Sequence, residues 1–235
     1  MVVIKKRSLI VISVLILTAI TFIVCFSSLN KTVVGSTDVK QLKVVLDAGH
    51  GGIDGGVSGK TSGVKESELN LDIVKKAEKI FLDSGFNVVL TRKNEAGLYG
   101  VASTSLKKKD MKKRKEIIEK EAPDLVISVH LNEYSLSSRR GGQVFFLKEN
   151  TESRLLANCI QKEINELYEG VKDYNALSGD LFMLKCTNAP SVIVECGFLS
   201  NEQDEKLLLT EEFREQVAYS IFRGAVSYLT TLKQN

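Results

Sequence analysis

An apolar run that ends at a histidine among glycines is the feature that most constrains the fold. Residues 44–48 read Val-Val-Leu-Asp-Ala and are followed by Gly-His50-Gly-Gly. Branched apolar residues in so short a run predict a buried strand, and the glycines cannot continue it, so we expect His50 on the loop after the strand. Residues 124–129 form a similar run that ends at His130. The chain has two histidines, and both are expected at the edge of an α/β sheet where functional sites form.

Strand and helix patterns alternate along most of the chain, which indicates an α/β fold. Apolar residues recur at helical spacing over residues 67–83, 111–121, 152–168 and 211–229, and further β-type runs occupy residues 86–92, 141–147, 181–184 and 191–195. We therefore predict a single α/β domain over residues 42–232, with a twisted sheet of about six strands flanked by helices.

The first 28 residues are typical of a membrane anchor. Lys5-Lys6-Arg7 precede an uncharged apolar run from Leu9 to about Phe26, which would be roughly 27 Å long as a helix. A pattern of small residues for cleavage is missing, so we predict an uncleaved membrane-spanning helix, with a cleaved signal peptide and a secreted protein as the alternative. The positive-inside rule then places the domain outside the cytoplasm, behind a polar linker over residues 29–41.

The charge distribution argues against nucleic acid as a partner. The chain has a formal net charge of +3, and residues 1–30 hold three cations and no acidic residue, so the rest is neutral. Phosphate binding needs a surplus of Lys and Arg on one face. Seven cations among residues 107–115 could contact an anionic polymer, although a solvated helix face explains them more simply. Three cysteines after the anchor, Cys159, Cys186 and Cys196, form no disulfide framework and are predicted as core residues.

Two histidines at one sheet edge indicate a metal site that needs a third ligand. Catalytic zinc usually takes three protein ligands, often two His and one Glu, and keeps one open position. Glu66 and Glu68 are the candidates, and because residues two apart on a helix face nearly opposite ways, at most one of them can coordinate. A carboxylate that stabilises the helix N-terminus is the alternative for either residue.

Glu195 is a second unusual carboxylate, because it closes the buried run over residues 191–194. Burying a carboxylate at the end of a core strand is costly unless the group is paired, metal-linked or functional. General base to a zinc-bound water is the role that fits. Cys196 as a nucleophile is an alternative, but alternation along the strand points it away from Glu195.

Taken together, these motifs resemble the zinc-dependent N-acetylmuramoyl-L-alanine amidases of the amidase-3 family. The matching segments are LDAGHGG at 46–52 with Asp54 and Gly56, Glu66 with Leu71, LTR at 90–92, ISVHLN at 127–132 and PSVIVECGFLSN at 190–201. The resemblance covers about residues 42–229. It implies that His50, Glu66 and His130 bind Zn²⁺ and that Glu195 is the catalytic glutamate. The spacing from Glu66 to Leu71 matches the family and selects Glu66 over Glu68.

The resemblance also implies the reaction, which is hydrolysis of the amide between N-acetylmuramic acid and L-alanine in peptidoglycan. Arg92 and Arg114 match family arginines near the site, but neither they nor any substrate-binding residue can be given a role. An anchor followed by one bare catalytic domain resembles the sporulation members of the family, which implies a spore-cortex substrate, a place between forespore and cortex, and an activating partner protein. A zinc peptidase that cuts within stem peptides and a non-catalytic, membrane-anchored peptidoglycan-binding module are the alternatives.

Overall fold

The computed structural model describes residues 41–101 and 104–234, which begin just before the first of the two histidine strands. The strands are β1 (Lys43–Ala48), β2 (Asn87–Leu90), β3 (Leu125–Asn132), β4 (Gln143–Phe146), β5 (Leu177–Ser178) and β6 (Ser191–Phe198). The α-helices are α1 (Glu66–Asp83), α2 (Leu106–Glu121), α3 (Thr151–Asn165), α4 (Glu202–Leu208) and α5 (Glu211–Gln234). A short 3₁₀-helix covers Phe182–Lys185.

The strands form one six-stranded mixed sheet in the order β2-β1-β3-β6-β4-β5. Strands β2, β1, β3 and β6 are parallel, whereas β4 runs antiparallel to β6 and parallel to β5. The two histidine strands are neighbours, and β6 lies on the other side of β3. The carboxyl ends of β1, β3 and β6 therefore meet at one edge of the sheet, which is where sites form in α/β proteins.

Alternation along the central strands divides the core between the two faces of the sheet. One face buries Leu46 and Ile127 against the larger core, to which helices α1, α3 and α5 contribute. The other face buries Val126 and Ile193 in a smaller core with Ile118 of α2. This division confirms the predicted single α/β domain with helices on its flanks, and its boundaries at residues 42 and 232 stay a prediction.

The predicted anchor over residues 1–28, and all but the last residue of the predicted linker over 29–41, lie outside the described residues. Within the described ranges, no helix has both the length and the apolar character to cross a membrane.

Several predicted elements need correction. The apolar run at 181–184 is not a strand, because Phe182–Lys185 form a 3₁₀-helix. The two-residue strand β5 takes its place in the sheet. The helix predicted to begin at residue 111 begins at Leu106, so the basic run lies inside α2. Strands β3 and β6 continue past His130 and Glu195. His130 therefore lies within its strand rather than after it, and Glu195, predicted as the last residue of its strand, is followed by three more strand residues.

Candidate metal centre and active site

Two histidines and one glutamate converge at the carboxyl edge of the sheet. Glu66 lies between the imidazoles, with Oε2 3.3 Å from His50 Nε2 and Oε1 2.9 Å from His130 Nδ1. One ligand atom from each residue lies within 4.8 Å of the other two. Glu68, two residues further along α1, is exposed. Two imidazoles and one carboxylate at this separation form a donor set that fits zinc and leaves a coordination position open.

The fold brings these three residues together from distant parts of the sequence. His50 follows β1, Glu66 is the first residue of α1, and His130 lies near the end of β3. Glu66 Oε1 also accepts a hydrogen bond from the backbone N–H of Leu131, at 3.1 Å, and Oε2 accepts one from Val57 at 2.9 Å. The hydrogen bond from Leu131 therefore holds the first residue of α1 against β3 independently of any bound ion.

Hydrogen bonds and charges within this group shift the pKa values of all three residues. Burial would raise the pKa of Glu66, but hydrogen bonds with His130 and His50 outweigh it and hold that pKa well below its usual range. Burial would lower the pKa of both histidines, and the hydrogen bonds and charge of Glu66 outweigh it, so both pKa values are raised. A metal ion at this site therefore competes with protons on the imidazoles.

Glu195 lies directly opposite His130 in the register of β6 and β3. Its Oε2 atom is buried and has no hydrogen-bond partner among the described residues. Burial raises the pKa of Glu195 to about 7. The charge of His130 has the next largest effect and lowers this pKa, while the charge of Glu66 raises it. A carboxyl with such a pKa can both accept and donate a proton near neutral pH.

Cys196, the next residue, is fully buried and belongs to the larger core on the opposite face of the sheet. Burial raises the pKa of its thiol well above the usual value. Of the predicted core cysteines, Cys186 is also buried and Cys159 is half-buried. This placement excludes Cys196 as an activated nucleophile, as the alternation along β6 predicts.

Arg92 and Arg114 hold the backbone of the loop that carries His50. Arg114 donates to the carbonyl of His50 at 2.5 Å and to that of Ala48 at 2.7 Å. Arg92 donates to the carbonyls of Ala48 at 2.9 Å and Gly49 at 3.0 Å. His50 has a φ of 60°, in the left-handed region that is costly for a residue with a side chain. The two guanidinium groups stabilise this conformation, which is the role that the sequence left unassigned.

A buried carboxylate below the loop fixes Arg114 in turn. Asp47 accepts hydrogen bonds from Arg114 Nη1 at 2.5 Å, Ser128 Oγ at 2.5 Å and Thr91 Oγ1 at 2.6 Å. Burial would raise the pKa of Asp47, but the charge of Arg114 and the two hydroxyl groups lower it to about 2. Sequence reasoning missed this network, although Asp47 and Ser128 are polar residues within apolar strands and are partners in the register of β1 and β3.

Asn70 and two glycines complete the surroundings of the three converging side chains. The buried amide of Asn70 donates to Glu66 Oε1 at 3.1 Å and to the carbonyl of Gly49 at 3.3 Å. A Cβ atom at Gly49 would overlap the imidazole of His130, and one at Gly56 would overlap the carboxylate of Glu66. Both positions therefore require glycine, and the sequence motifs contain it there.

Comparison with known proteins finds several similar amidases. A germination-specific N-acetylmuramoyl-L-alanine amidase of Bacillus subtilis is 29% identical over 191 residues, which cover 80% of this chain and 79% of the relative. The structure of the CwlD amidase of Clostridioides difficile, in complex with the GerS lipoprotein, is 36% identical with a TM-score of 0.78, and the match covers 81% of this chain and 100% of that chain.

Another similar structure is the catalytic domain of CwlV, an N-acetylmuramoyl-L-alanine amidase of Bacillus (Paenibacillus) polymyxa var. colistinus. It is 29% identical with a TM-score of 0.70, and the match covers 81% of this chain and 99% of that chain. The Amidase_3 family model, described as N-acetylmuramoyl-L-alanine amidase, matches residues 44–227. The chain therefore belongs to the Amidase_3 family and is a peptidoglycan amidase.

Proposed function

We propose that this protein uses zinc to hydrolyse the amide between the lactyl group of N-acetylmuramic acid and the L-alanine of the stem peptide. The observation that carries the proposal is the convergence of His50, Glu66 and His130 beside Glu195, in a chain of the Amidase_3 family. The three converging residues would hold the ion, and Glu195 would be the catalytic acid and base.

Zinc, when bound, supplies a Lewis acid that polarises the amide carbonyl and lowers the pKa of the attacking water. Glu195 accepts the proton of that water, since its buried Oε2 has no competing partner among the described residues. The same carboxyl, with a pKa of about 7, then returns the proton to the leaving amine of L-alanine. Arg92 and Arg114 keep the His50 loop in place by binding its carbonyls.

The products of the reaction test the proposal. Peptidoglycan fragments are incubated with the full-length, zinc-loaded protein and analysed by mass spectrometry. The proposal predicts free lactyl carboxylates on the glycan and stem peptides that begin with L-alanine. Cleavage inside the stem peptide would instead favour the zinc peptidase, and fragments that are bound but stay intact would favour the non-catalytic binding module.

The choice of metal ligand has its own test. Glu66→Ala is expected to lose zinc, because removing one of three ligands leaves an incomplete site. Glu68→Ala is the matched control, since Glu68 is exposed and should leave the zinc content unchanged. Zinc lost from Glu68→Ala but kept in Glu66→Ala would show that Glu68, and not Glu66, is the ligand.

For the biological role, we propose that the protein acts on nascent spore-cortex peptidoglycan from an N-terminal membrane anchor. Similarity to a germination-specific amidase and to CwlD supports this role. The complex of CwlD with the GerS lipoprotein supports an activating partner for this protein as well. Stem removal would prepare muramic acid for lactam formation. Deleting the gene should therefore deplete muramic lactam in spore cortex, and normal lactam levels would reject the cortex role while leaving the amidase reaction untouched.

A further inference from the structure

A groove lies beside the candidate active site, between α2 and the 3₁₀-helix at Phe182–Lys185. Its volume is about 750 Å³, and Met111 and Phe182 supply apolar lining. Phe182 is 44% exposed, so its ring is accessible to a ligand in the groove. A concave surface of this size with apolar lining is typical of a ligand-binding site.

The groove shares two lining residues with a cavity at the candidate active site. A small cavity beneath His50 and His130 is also lined by Lys107 and Met111, and these two residues line the groove as well. The groove therefore adjoins the cavity that contains His50 and His130.

Cations outnumber carboxylates along the groove. Lys107, Lys108, Lys112 and Lys115 line it, together with two acidic residues, Glu116 and Glu119. Lys112 lies 3.9 Å from Glu116, which also pairs with Lys113 at 3.1 Å, and Lys115 lies 3.6 Å from Glu119.

The remaining two lysines, Lys107 and Lys108, add cationic charge, and Lys107 also lines the cavity that contains His50 and His130. Lys107 lies 3.6 Å from Asp54 and is 75% exposed, and within the described ranges Lys108 forms no ion pair. Exposed pairs of this kind contribute little free energy, so a ligand carboxylate can replace them.

We propose that this groove binds the acidic stem peptide of the substrate. The inference rests on the proposed function, because the leaving amine belongs to the first residue of that peptide. A stem peptide carries free carboxylates and small apolar side chains, which complement a cationic rim and an apolar floor. The glycan strand carries neither this density of free carboxylates nor these apolar side chains. The basic run over residues 107–115 is thus a substrate-binding element as well as a solvated helix face.

Direct binding tests the groove separately from the reaction. A fluorescently labelled stem peptide with free carboxylates is titrated into the full-length, zinc-loaded protein, and anisotropy gives Kd. The double variant Lys108→Gln/Lys112→Gln should bind about threefold to tenfold more weakly and with less salt dependence. The control Lys109→Gln/Lys120→Gln removes the same charge from the same helix outside the groove lining and should bind like the wild type.

Two further probes decide the occupant. The same peptide with amidated carboxylates should bind weakly to the wild type and should be insensitive to the double substitution. Equal affinity of the wild type for both peptides, or equal losses in the two double variants, would overturn the proposal. So would a loss confined to glycan strands without stem peptides. Failure of the amidase proposal would appear separately, as absent cleavage products with the peptide-binding result unchanged.

Discussion

Replacing Asp47 by Asn should lower the unfolding free energy of the domain, because Asp47 forms a buried ion pair next to the His50 loop. The substitution keeps the size of the side chain but removes the negative charge that pairs with Arg114, whose guanidinium is almost fully buried. Arg114 still has Asp110 at 2.6 Å, but the charge facing the His50 loop is lost. We expect weaker folding and, because Arg114 holds the carbonyl of His50, weaker zinc binding.

The magnitude follows from the pKa of Asp47, which is lowered from 3.8 to about 2 in the folded state. At about 1.4 kcal/mol per unit, this shift corresponds to about 2 kcal/mol of stability at neutral pH. Removing one partner of a buried ion pair typically costs about 3 to 5 kcal/mol. The variant should therefore lose between about 2 and 5 kcal/mol of unfolding free energy.

The sign of the pH dependence gives a second signature. A carboxyl whose folded pKa lies below its unfolded value binds fewer protons in the folded state, so its contribution is present above about pH 4. That contribution is lost as the pH falls through about 2. Over this window the wild-type protein should lose about 2 kcal/mol more than Asp47→Asn, because the other carboxyls with lowered pKa values, such as Glu66, titrate in both proteins.

Urea denaturation of the metal-free protein at several pH values measures both effects. Asp83→Asn is the control, because Asp83 is exposed and pairs only with Lys79 among the described residues, and such pairs contribute about 0 to 1 kcal/mol. A loss for Asp47→Asn no larger than that of the control, or an unchanged acid step, would refute the importance of this buried pair.

Three further outcomes concern the metal centre. Gly49→Ala should lose zinc, because the added methyl group would overlap the imidazole of His130; a zinc content equal to that of the wild type would contradict the geometry. Asn70→Leu should weaken zinc affinity by about 10- to 100-fold in a chelator competition, while far-UV circular dichroism stays unchanged; an unchanged affinity would make Asn70 dispensable. The rate should rise with pH as Glu195 deprotonates, with an inflection at or below the value of about 7, since a bound cation favours the carboxylate; a rate that increases toward acid pH would argue against a general base.

The sequence predicts which residues lie at the carboxyl edge of the sheet, because local sequence patterns mark the ends of these strands. The runs before His50 and His130 are apolar and branched, and glycines stop the first of them, so their place in the fold follows from local chemistry. The contact of these histidines with Glu66 depends on the tertiary fold, because the three residues are far apart in the sequence. It was predicted only from the resemblance to a family. Residue spacing alone left Glu66 and Glu68 open.

The errors also have physical causes. A four-residue apolar run such as 181–184 has no periodicity that separates a strand from a 3₁₀-helix. Strand β5 is exposed and two residues long, so it has almost no pattern. The basic run gave no sign that Arg114 is buried, which the structure allows because Asp110 and Asp47 neutralise it. An Asp four residues before an Arg was the available signal, but the second partner is 67 residues away.

Glu195→Gln tests the central claim most directly, because the amide has the same shape as the carboxylate but cannot accept the proton. Zinc content, melting temperature and muropeptide turnover are measured on the same preparation, with the exposed Glu202→Gln as control. The account predicts wild-type zinc content and stability with turnover reduced by about 10²- to 10⁴-fold. Turnover close to that of the wild type would contradict the assignment of Glu195 as the catalytic base.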